Sequence, residues 1–539
     1  MAKERLTLYD TTMRDGQQMM GVQFSGDDKY LLTEALDRLG IDYIEAGWPG
    51  ANPTDSGFFE SRPQCRDARV VAFGRTKMSG RSAANDGVLA ELVNAGADAL
   101  CLFGKTHDFH VEKILGVTLS ENIDNIGQSI AHLSGRGIEA VFDAEHFFDG
   151  YKSNPDYAVE CLLAARENGA RWIVLCDTNG GTLPGEIGEI TAEVIRKGVP
   201  GANLGIHTHN DTGNAVAASL AAVDAGARQI QGTLNGLGER CGNADLVSLI
   251  PTLLLKEPYK SCLDTGVSER GLKSLTEISR LLDDILNRVP AKSAPYVGAS
   301  AFTHKAGVHA SAVAKFASSY EHIDPETVGN RTYIPMSNQA GRSNLVKRLK
   351  EAGIVIDQKD QRIGDILREI KRREDEGYSF DIAQASFELL ARRMLGLMPE
   401  YFSVVKYAVN IEHVEVEGRM RTASRAEVEL RVAGEIRRSS ADAAVNGKDD
   451  KGPVHALARA VSGDLGIYQS FIEDMRLVDY KVRITSGGTE AVTRVVIDYE
   501  DRQHRRWSTV GVSPNILDAS FQAHIDAVRW KLVRDQAPV

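Results

Sequence analysis

Short apolar runs alternate with amphipathic helical patterns through the first 260 positions of the chain. The apolar runs lie at 6–10, 43–47, 70–74, 99–104, 139–145, 172–178, 203–209 and 229–235. Helical periodicity follows them at 27–39, 55–62, 82–95, 121–136, 155–168, 184–197, 213–225 and 243–256. Near-continuous hydrophobic strands are typical of a parallel sheet buried on both faces. Eight such units predict an α/β TIM (β/α)8 barrel, with a doubly wound open sheet as the alternative.

The alternation ends after position 262. Residues 263–400 show mostly helical leucine and isoleucine periodicity, at 271–287, 343–353 and 364–374. From 401, strand patterns at 404–409 and 426–432 precede a helix at 453–462, and strands at 480–484, 492–499 and 505–512 precede a helix at 516–533. This approximate duplication predicts a separate α+β domain. We therefore expect a barrel at 1–262, a helical linker subdomain at 263–400 and a C-terminal α+β domain at 401–535.

Composition and charge narrow the functional class. Apolar residues make up 42% and charged residues 25% of the chain, as in globular proteins. The 63 basic and 74 acidic residues give a net charge of −11, which argues against broad binding of nucleic acid or anionic membranes. No apolar run has the length of a membrane span, and the N-terminus lacks the apolar segment of a signal peptide. The six cysteines form no CxxC pair, which favours a reducing cytoplasm.

Polar residues at the carboxyl ends of the expected strands are the candidates for catalysis, because TIM-barrel active sites lie there. His207 and His209 are two apart on the seventh strand, so their imidazoles point to the same face. Asp15, after the first strand, completes a two-histidine, one-carboxylate set that leaves metal positions open for substrate. Such a site suits Lewis-acid activation of a carbonyl group. A surface loop that happens to carry two histidines is the alternative.

Three further strand-end residues carry candidate chemistry. Arg14 is placed to bind a carboxylate or to stabilise an enolate oxygen, although an ordinary salt bridge fits the same spacing. Glu145 is a candidate general base or a structural carboxylate. Thr178 is placed to donate its hydroxyl to a substrate carboxylate, or to cap the next helix.

His309 and Tyr320 follow the barrel repeat, in the mostly helical region. Both are candidate acid/base groups that reach over the barrel mouth. A structural histidine is the alternative interpretation of His309.

Three motifs resemble the signatures of the DRE-TIM metallolyases. They read Asp10-Thr-Thr-Met-Arg-Asp-Gly-Gln, His207-Thr-His-Asn-Asp and Gly238-Glu-Arg-Cys-Gly-Asn. They look most like the branch that comprises the 2-isopropylmalate, homocitrate and citramalate synthases. Within that branch, the run that begins Glu45-Ala-Gly-Trp-Pro-Gly is similar to the citramalate synthase type. The resemblance covers nearly the whole chain, since the part from 401 resembles the family's regulatory, LeuA-type dimerisation domain.

This resemblance implies a role for each matching residue. Asp15, His207 and His209 match the ligands of a divalent metal (Mn, Mg or Zn), and Asn243 matches a residue at or near the metal. Arg14 matches the arginine that binds the substrate and steadies the enolate, Thr178 matches the threonine that holds the keto-acid carboxylate, and Glu145 matches the catalytic glutamate. His309 and Tyr320 match the acid/base residues of the post-barrel subdomain. The sequence around His309, Ala-Gly-Val-His-Ala-Ser-Ala, departs from the family's usual Ser-Gly-Ile-His-Gln-Asp-Gly type.

The implied reaction condenses acetyl-CoA with pyruvate and water to give (R)-citramalate and CoA. A small apolar pocket is then expected, with Phe73, Phe103 and Phe142 as candidate wall residues or core residues. The resemblance of the C-terminal domain implies a homodimer that is inhibited by isoleucine or, alternatively, by leucine. Another 2-keto acid, as in isopropylmalate or homocitrate synthesis, is the nearest alternative. A lyase of the same superfamily and a noncatalytic amino-acid sensor are more distant ones.

Overall fold

The computed structural model describes residues 3–336, 341–416, 419–445, 452–485 and 491–539. The chain divides into two compact units. The first comprises Met1–Phe302 with His322–Arg331, and the second comprises Thr303–Glu321 with Thr332–Val539.

The first unit contains a closed barrel of eight parallel strands, which confirms the predicted fold class. The strands are β1 (Thr7–Asp10), β2 (Tyr43–Gly47), β3 (Arg69–Arg75), β4 (Ala99–Lys105), β5 (Glu139–Glu145), β6 (Trp172–Asp177), β7 (Leu204–Thr208) and β8 (Gln229–Gly232). Each overlaps one of the eight runs expected from the sequence. The barrel closes where β1 pairs in parallel with β8, Thr7 opposite Gln229 and Asp10 opposite Gly232.

Helices follow the strands as the periodicity predicts. The main ones are Gly26–Leu39, Pro53–Glu60, Gly87–Asn94, Leu119–Ser134, Pro155–Glu167, Pro184–Arg196, Ala215–Asp224 and Leu246–Leu255, with Phe147–Ser153 as an additional short helix after β5. Local chemistry sets their ends. Ser25 and Asp28 form a reciprocal capping box at the start of the first helix, and Gly40 ends it with a φ of 102°, a conformation that favours glycine. The expected helix at 271–287 is divided at Ser274 into Glu269–Lys273 and Leu275–Ile285.

Two apolar layers hold the barrel together. Val71, Cys101, Val141 and Val174 belong to an inner cluster that also contains Tyr9 and Trp172. The larger outer cluster joins the strands to the surrounding helices. Polar side chains at the carboxyl ends of the strands therefore stand above a packed interior rather than over a pore.

The second unit contains helices and two antiparallel sheets of three strands each. The sheets are β9 (Phe402–Val416), β10 (Arg419–Val432) and β11 (Glu435–Val445), and β12 (Arg476–Ile484), β13 (Thr493–Glu500) and β14 (Arg506–Ser513). Helices Pro453–Val461 and Ile516–Arg534 follow them, which confirms the duplicated α+β pattern. Helices Gly307–Lys315, Arg342–Glu351, Arg362–Asp375 and Gln384–Met394 precede the sheets.

Among the described residues, the structure contains no helix whose length and apolar character would allow it to cross a bilayer.

Candidate active site at the carboxyl end of the barrel

One cavity of about 390 Å³ opens at the carboxyl ends of the barrel strands. Its walls include the candidate residues Arg14, Asp15, Glu145, Thr178, His207 and His209, together with Trp48, Phe73, Phe103 and Asp143. Residues as far apart in the sequence as Arg14 and His209 thus share one site, because parallel strands end at the same rim.

Three buried side chains converge on one point of this cavity. Asp15 Oδ2 lies 3.2 Å from His207 Nε2 and 3.7 Å from His209 Nε2. The two Nε2 atoms are 3.3 Å apart. Ligand atoms of all three residues lie within 4.8 Å of one another, which is the spacing that a shared divalent cation requires.

Asn243 joins this group from the loop after β8. Its Nδ2 lies 3.3 Å from His207 Nε2, and its backbone forms an isolated bridge with His209. Asn243 Oδ1 and Asp15 Oδ1 are buried without a hydrogen-bond partner among the described residues. Two imidazoles, a carboxylate and an amide with unshared oxygen lone pairs fit a divalent metal ion.

The electrostatics of the group also suit a cation. Burial acts to raise the pKa of Asp15, but Arg14 and the two histidines hold that pKa well below its usual range. Burial, followed by the neighbouring His207, lowers the pKa of His209 to about 4. Burial opposes protonation of His207, yet Asp15 raises its pKa. A cation at this point therefore competes with a proton on His207.

Arg14 is held rigidly beside Asp15, His207 and His209, which we call the cation group. Its Nε donates a hydrogen bond to Glu45 Oε2 at 2.5 Å, and its Nη1 lies 3.3 Å from Asp15 Oδ2. Its guanidinium lies over the Phe73 ring, 3.8 Å from the centroid. Glu45 is itself fixed by Tyr9, whose hydroxyl donates to Oε1 at 2.8 Å. The remaining guanidinium donors are thus pre-oriented for an oxygen ligand in the cavity.

Glu145 lies at the end of β5 on the same cavity wall. Its Oε2 forms an ion pair with Lys105 Nζ, from the end of β4, at 2.6 Å. The carboxylate is part-exposed, so it is accessible to substrate while the lysine limits its rotation.

Thr178 also lines the cavity. Its Oγ1 accepts a hydrogen bond from the backbone N–H of His146 at 2.8 Å. Because the Thr178 oxygen is the acceptor in this bond, the hydroxyl hydrogen takes no part in it and is free to donate to another group. This geometry is compatible with donation to a substrate carboxylate.

Three aromatic rings form the apolar wall. Phe73 and Phe103 stack with centroids 5.3 Å apart, and Trp48 meets each of them edge-on at 5.9 Å. Two of the three phenylalanines expected at the wall therefore line the cavity. Phe142 instead lies in the core between the strands and the helices, because its side chain points to the outer face of β5.

Comparison with known proteins gives matches along nearly the whole chain. The HMGL-like family matches residues 5–281, the homocitrate synthase post-HMGL domain-like family matches 296–378, and the LeuA allosteric (dimerisation) domain matches 381–532. An (R)-citramalate synthase of Aquifex aeolicus is 46% identical over 99% of both chains. One from Geobacter sulfurreducens is 44% identical over 98% of both. The chain belongs to the 2-isopropylmalate synthase and homocitrate synthase family of DRE-TIM metallolyases. A probable 2-isopropylmalate synthase of Methanopyrus kandleri is 32% identical over 97% of this chain and 98% of its own length.

Two residues expected at the site of this DRE-TIM metallolyase lie in the second unit. His309 is exposed on helix Gly307–Lys315, and its ring stacks on Tyr320 with centroids 4.2 Å apart. Their side chains thus form a pair. Their acid/base role at the barrel mouth stays a prediction.

Several site residues were not assigned a role from the sequence. Glu45, Lys105, Asp143 and Gln231 contact the candidate residues or line the cavity. The sequence does contain an indication for Glu45 and Asp143, because both are acidic residues near the carboxyl end of a buried strand, where active-site residues are expected. It contains none for Lys105 and Gln231, since their contacts depend on which residues neighbouring strands place side by side.

Proposed function

We propose that this chain is an (R)-citramalate synthase, an acyltransferase that condenses acetyl-CoA with pyruvate and water to give (R)-citramalate and CoA. The observation that supports this most is the cavity in which Arg14 and Glu145 stand beside the Asp15–His207–His209 group. Relatives named (R)-citramalate synthase, 46% and 44% identical over nearly the whole chain, support the choice of reaction.

We assign Asp15, His207, His209 and Asn243 to the binding of one divalent ion, Mn²⁺, Mg²⁺ or Zn²⁺. When bound, such an ion supplies Lewis-acid polarisation of the keto group of the substrate. Thr178 holds the keto-acid carboxylate through its hydroxyl. Arg14 directs its free guanidinium donors to the oxygen on which the enolate charge develops.

The proton transfers fall to the chain's own acid/base groups. A methyl proton leaves acetyl-CoA, the enolate carbon attacks the ketone, and water then cleaves the thioester of citramalyl-CoA. Glu145 and the His309–Tyr320 pair share these transfers in our proposal. General acid–base catalysis by one positioned group contributes roughly 10²–10⁴-fold in rate.

The aromatic wall favours a small keto acid. Trp48, Phe73 and Phe103 close the cavity beside Arg14, which leaves the methyl group of pyruvate in apolar surroundings. We expect these packed rings to leave less room for the side group of a larger keto acid. One methylene in such a pocket changes the free energy of binding by only about 1–3 kcal/mol, so activity with 2-ketobutyrate is expected to be weaker rather than absent.

We further propose a cytoplasmic homodimer with an allosteric domain. The LeuA allosteric (dimerisation) match at 381–532 supports dimerisation and control by an amino acid. Isoleucine is the expected inhibitor, because citramalate feeds its synthesis, and leucine is the alternative. The six free cysteine thiols suit a reducing compartment.

The deciding assay measures thiol release from acetyl-CoA with pyruvate, 2-ketobutyrate, 2-ketoisovalerate and 2-ketoglutarate, with and without divalent metal. We expect metal-dependent release that is fastest with pyruvate. Faster release with 2-ketoisovalerate would replace the proposal by an isopropylmalate synthase activity. No release with any keto acid would favour the sensor function.

A further inference from the structure

A buried amide links one histidine of the cation group to a carboxylate that the proposed reaction does not use. Gln231 Oε1 lies 2.8 Å from His207 Nδ1, and Gln231 Nε2 donates to Asp143 Oδ1 at 3.0 Å. All three side chains are buried. Gln231 and His207 are direct neighbours in the register of β8 and β7.

The direction of these two bonds follows from hydrogen-bonding chemistry. An ionised carboxylate only accepts, so the Gln231 nitrogen must face Asp143. The Gln231 oxygen then faces His207, and since that oxygen also only accepts, the hydrogen must sit on His207 Nδ1. A neutral imidazole with hydrogen on Nδ1 leaves the Nε2 lone pair free. Nε2 is the atom 3.2 Å from Asp15 Oδ2.

We propose that Asp143 and Gln231 are positioning residues that fix the tautomer of His207, so that its Nε2 is available to a divalent cation. The inference rests on the cation site of the proposed function and adds two residues that act through His207. Neither residue needs to touch the cation or the substrate.

The second histidine differs. His209 Nδ1 is buried and has no hydrogen-bond partner within the described part of the chain. No side chain therefore holds His209 Nδ1, whereas Gln231 holds the Nδ1 of His207. Partners of this kind change metal affinity by roughly 10–100-fold when they are removed.

The test compares Mn²⁺ affinity by isothermal titration calorimetry in the full-length protein at pH 8. In Asp143→Asn, the carboxylate that holds the Gln231 nitrogen is replaced by an amide that can either accept or donate, so the Gln231 amide becomes free to flip and to shift the His207 hydrogen to Nε2. We expect affinity to fall by about 10–100-fold. Gln231→Leu, which removes the acceptor, should lower it similarly.

The matched control is Gln229→Leu, the same substitution two positions earlier on β8. Gln229 is buried, and its side-chain amide forms no hydrogen bond with the described residues. We expect its Mn²⁺ affinity to equal that of the wild type. An equal loss in Gln229→Leu and Gln231→Leu would overturn the proposal in favour of a general packing effect.

A charge-conserving exchange provides the sharper test. In Asp143→Asn/Gln231→Glu, the glutamate accepts from both the new asparagine and His207 Nδ1, so the original tautomer is restored. We expect this double variant to bind Mn²⁺ more tightly than Asp143→Asn alone. Failure to recover affinity in a folded double variant, as judged by circular dichroism, would contradict the tautomer mechanism.

The tautomer itself is read from ¹⁵N shifts of the histidine ring nitrogens in metal-free protein, with pH raised until His207 is neutral. Wild type and the double variant should carry the hydrogen on Nδ1, and Asp143→Asn should carry it at least partly on Nε2; the same single tautomer in all three would overturn the proposal. This readout remains decisive if a variant binds metal poorly for other reasons. A wild type that binds no Mn²⁺ but shows the Nδ1 tautomer would refute the proposed cation site and leave the linkage intact.

Discussion

At the scale of single residues, the neighbouring side chains, rather than the residue type alone, determine how each polar side chain of the site is oriented. Glu145 is oriented by Lys105 at 2.6 Å, and Arg14 is clamped between Glu45 and Asp15. The sequence predicts that Asp15, His207 and His209 meet, because strand-end residues share one rim. It does not predict Lys105 or Gln231 as partners, since side-by-side contacts depend on strand register, which a single sequence does not specify.

If Glu145 transfers a proton as we propose, replacing it by Gln is expected to lower kcat for citramalate formation by about 10²–10⁴-fold. Mn²⁺ affinity should change little, since Glu145 is not in the cation group. The measurement is steady-state thiol release together with a metal titration. Near-normal turnover in Glu145→Gln would show that Glu145 is not the acid/base group.

Glu139→Gln is the control for this variant. Glu139 lies at the amino end of the same strand and accepts a hydrogen bond from the Tyr43 hydroxyl. The amino ends of TIM-barrel strands serve stability rather than chemistry, so kcat should stay within about twofold.

At the scale of elements, the periodicity predicts strands and helices wherever one face is consistently apolar. The eight barrel strands meet this condition. Strand β11 does not, because its sequence Glu-Ile-Arg-Arg-Ser-Ser-Ala-Asp-Ala-Ala-Val is largely polar or small; only its pairing with β10 makes it a strand. Tertiary hydrogen bonding, rather than local propensity, decides such a segment.

Strand β14 and the helix after it approach closely at one glycine. A Cβ on Gly511 would lie 1.9 Å from the backbone oxygen of Ala519, so Gly511→Ala must separate strand from helix. We expect a loss of about 2–3 kcal/mol in the free energy of unfolding, measured by urea denaturation.

Gly364→Ala is the matched control in the same unit. The nearest atom to its Cβ would be Arg368 Nη1 at 3.6 Å, the end of a flexible side chain. Because Gly364 lies in helix Arg362–Asp375, alanine should leave stability unchanged or raise it by up to about 1 kcal/mol. Equal losses in both glycine variants would contradict the close-approach argument.

The end of strand β13 carries an acid-sensitive cluster. Hydrogen bonds from Arg506, followed by those from Arg476 and His504, outweigh burial and lower the pKa of Glu500 from 4.5 to about 2. The unfolded chain therefore binds this proton more readily than the folded one. The stabilisation is present above about pH 4.5 and is lost as the pH falls toward 2.

Glu500→Gln is accordingly expected to destabilise the protein at pH 7 by about 1–2 kcal/mol, a figure reduced for the exposure of the arginines. The difference from wild type should shrink as the pH falls below about 4.5. Urea denaturation at several pH values measures it. A difference that is constant from pH 7 to pH 3 would rule out the proposed titration.

At the scale of the whole molecule, one helix belongs to two cores of the second unit. Helix Gln384–Met394 contributes Phe387 and Leu390 to a cluster with the preceding helices, and Ala385 to a cluster with β13 and β14. Ser386 Oγ also accepts a hydrogen bond from the Val510 backbone N–H at 3.0 Å. The change of the hydrophobic pattern at 401 predicts where the strands begin. It does not predict that one helix packs in two cores, because the pattern along the sequence does not show which elements contact each other.

A chain ending at residue 400 is therefore expected to expose the Ala385–Ser386 face of this helix. We predict that it forms aggregates larger than a dimer and binds a hydrophobic dye, whereas the full-length protein remains a dimer that binds no dye. Size-exclusion chromatography with light scattering measures the first effect. A 1–400 chain that is monodisperse and dye-free would show that the helix is stable without the sheets.

The pairing of β1 with β8, which closes the barrel, affects the order in which the site forms during folding. β1 is synthesised first, yet it pairs with β8, whose partner residues lie 222 positions later. Asp15 follows β1, whereas His207 lies on β7 and Asn243 follows β8. Contacts of such sequence separation form late, because a long loop must close first. If the proposed site binds Mn²⁺, a nascent or refolding chain is thus expected to take up the ion only when the barrel closes, so the rate of Mn²⁺ uptake would measure the rate of closure.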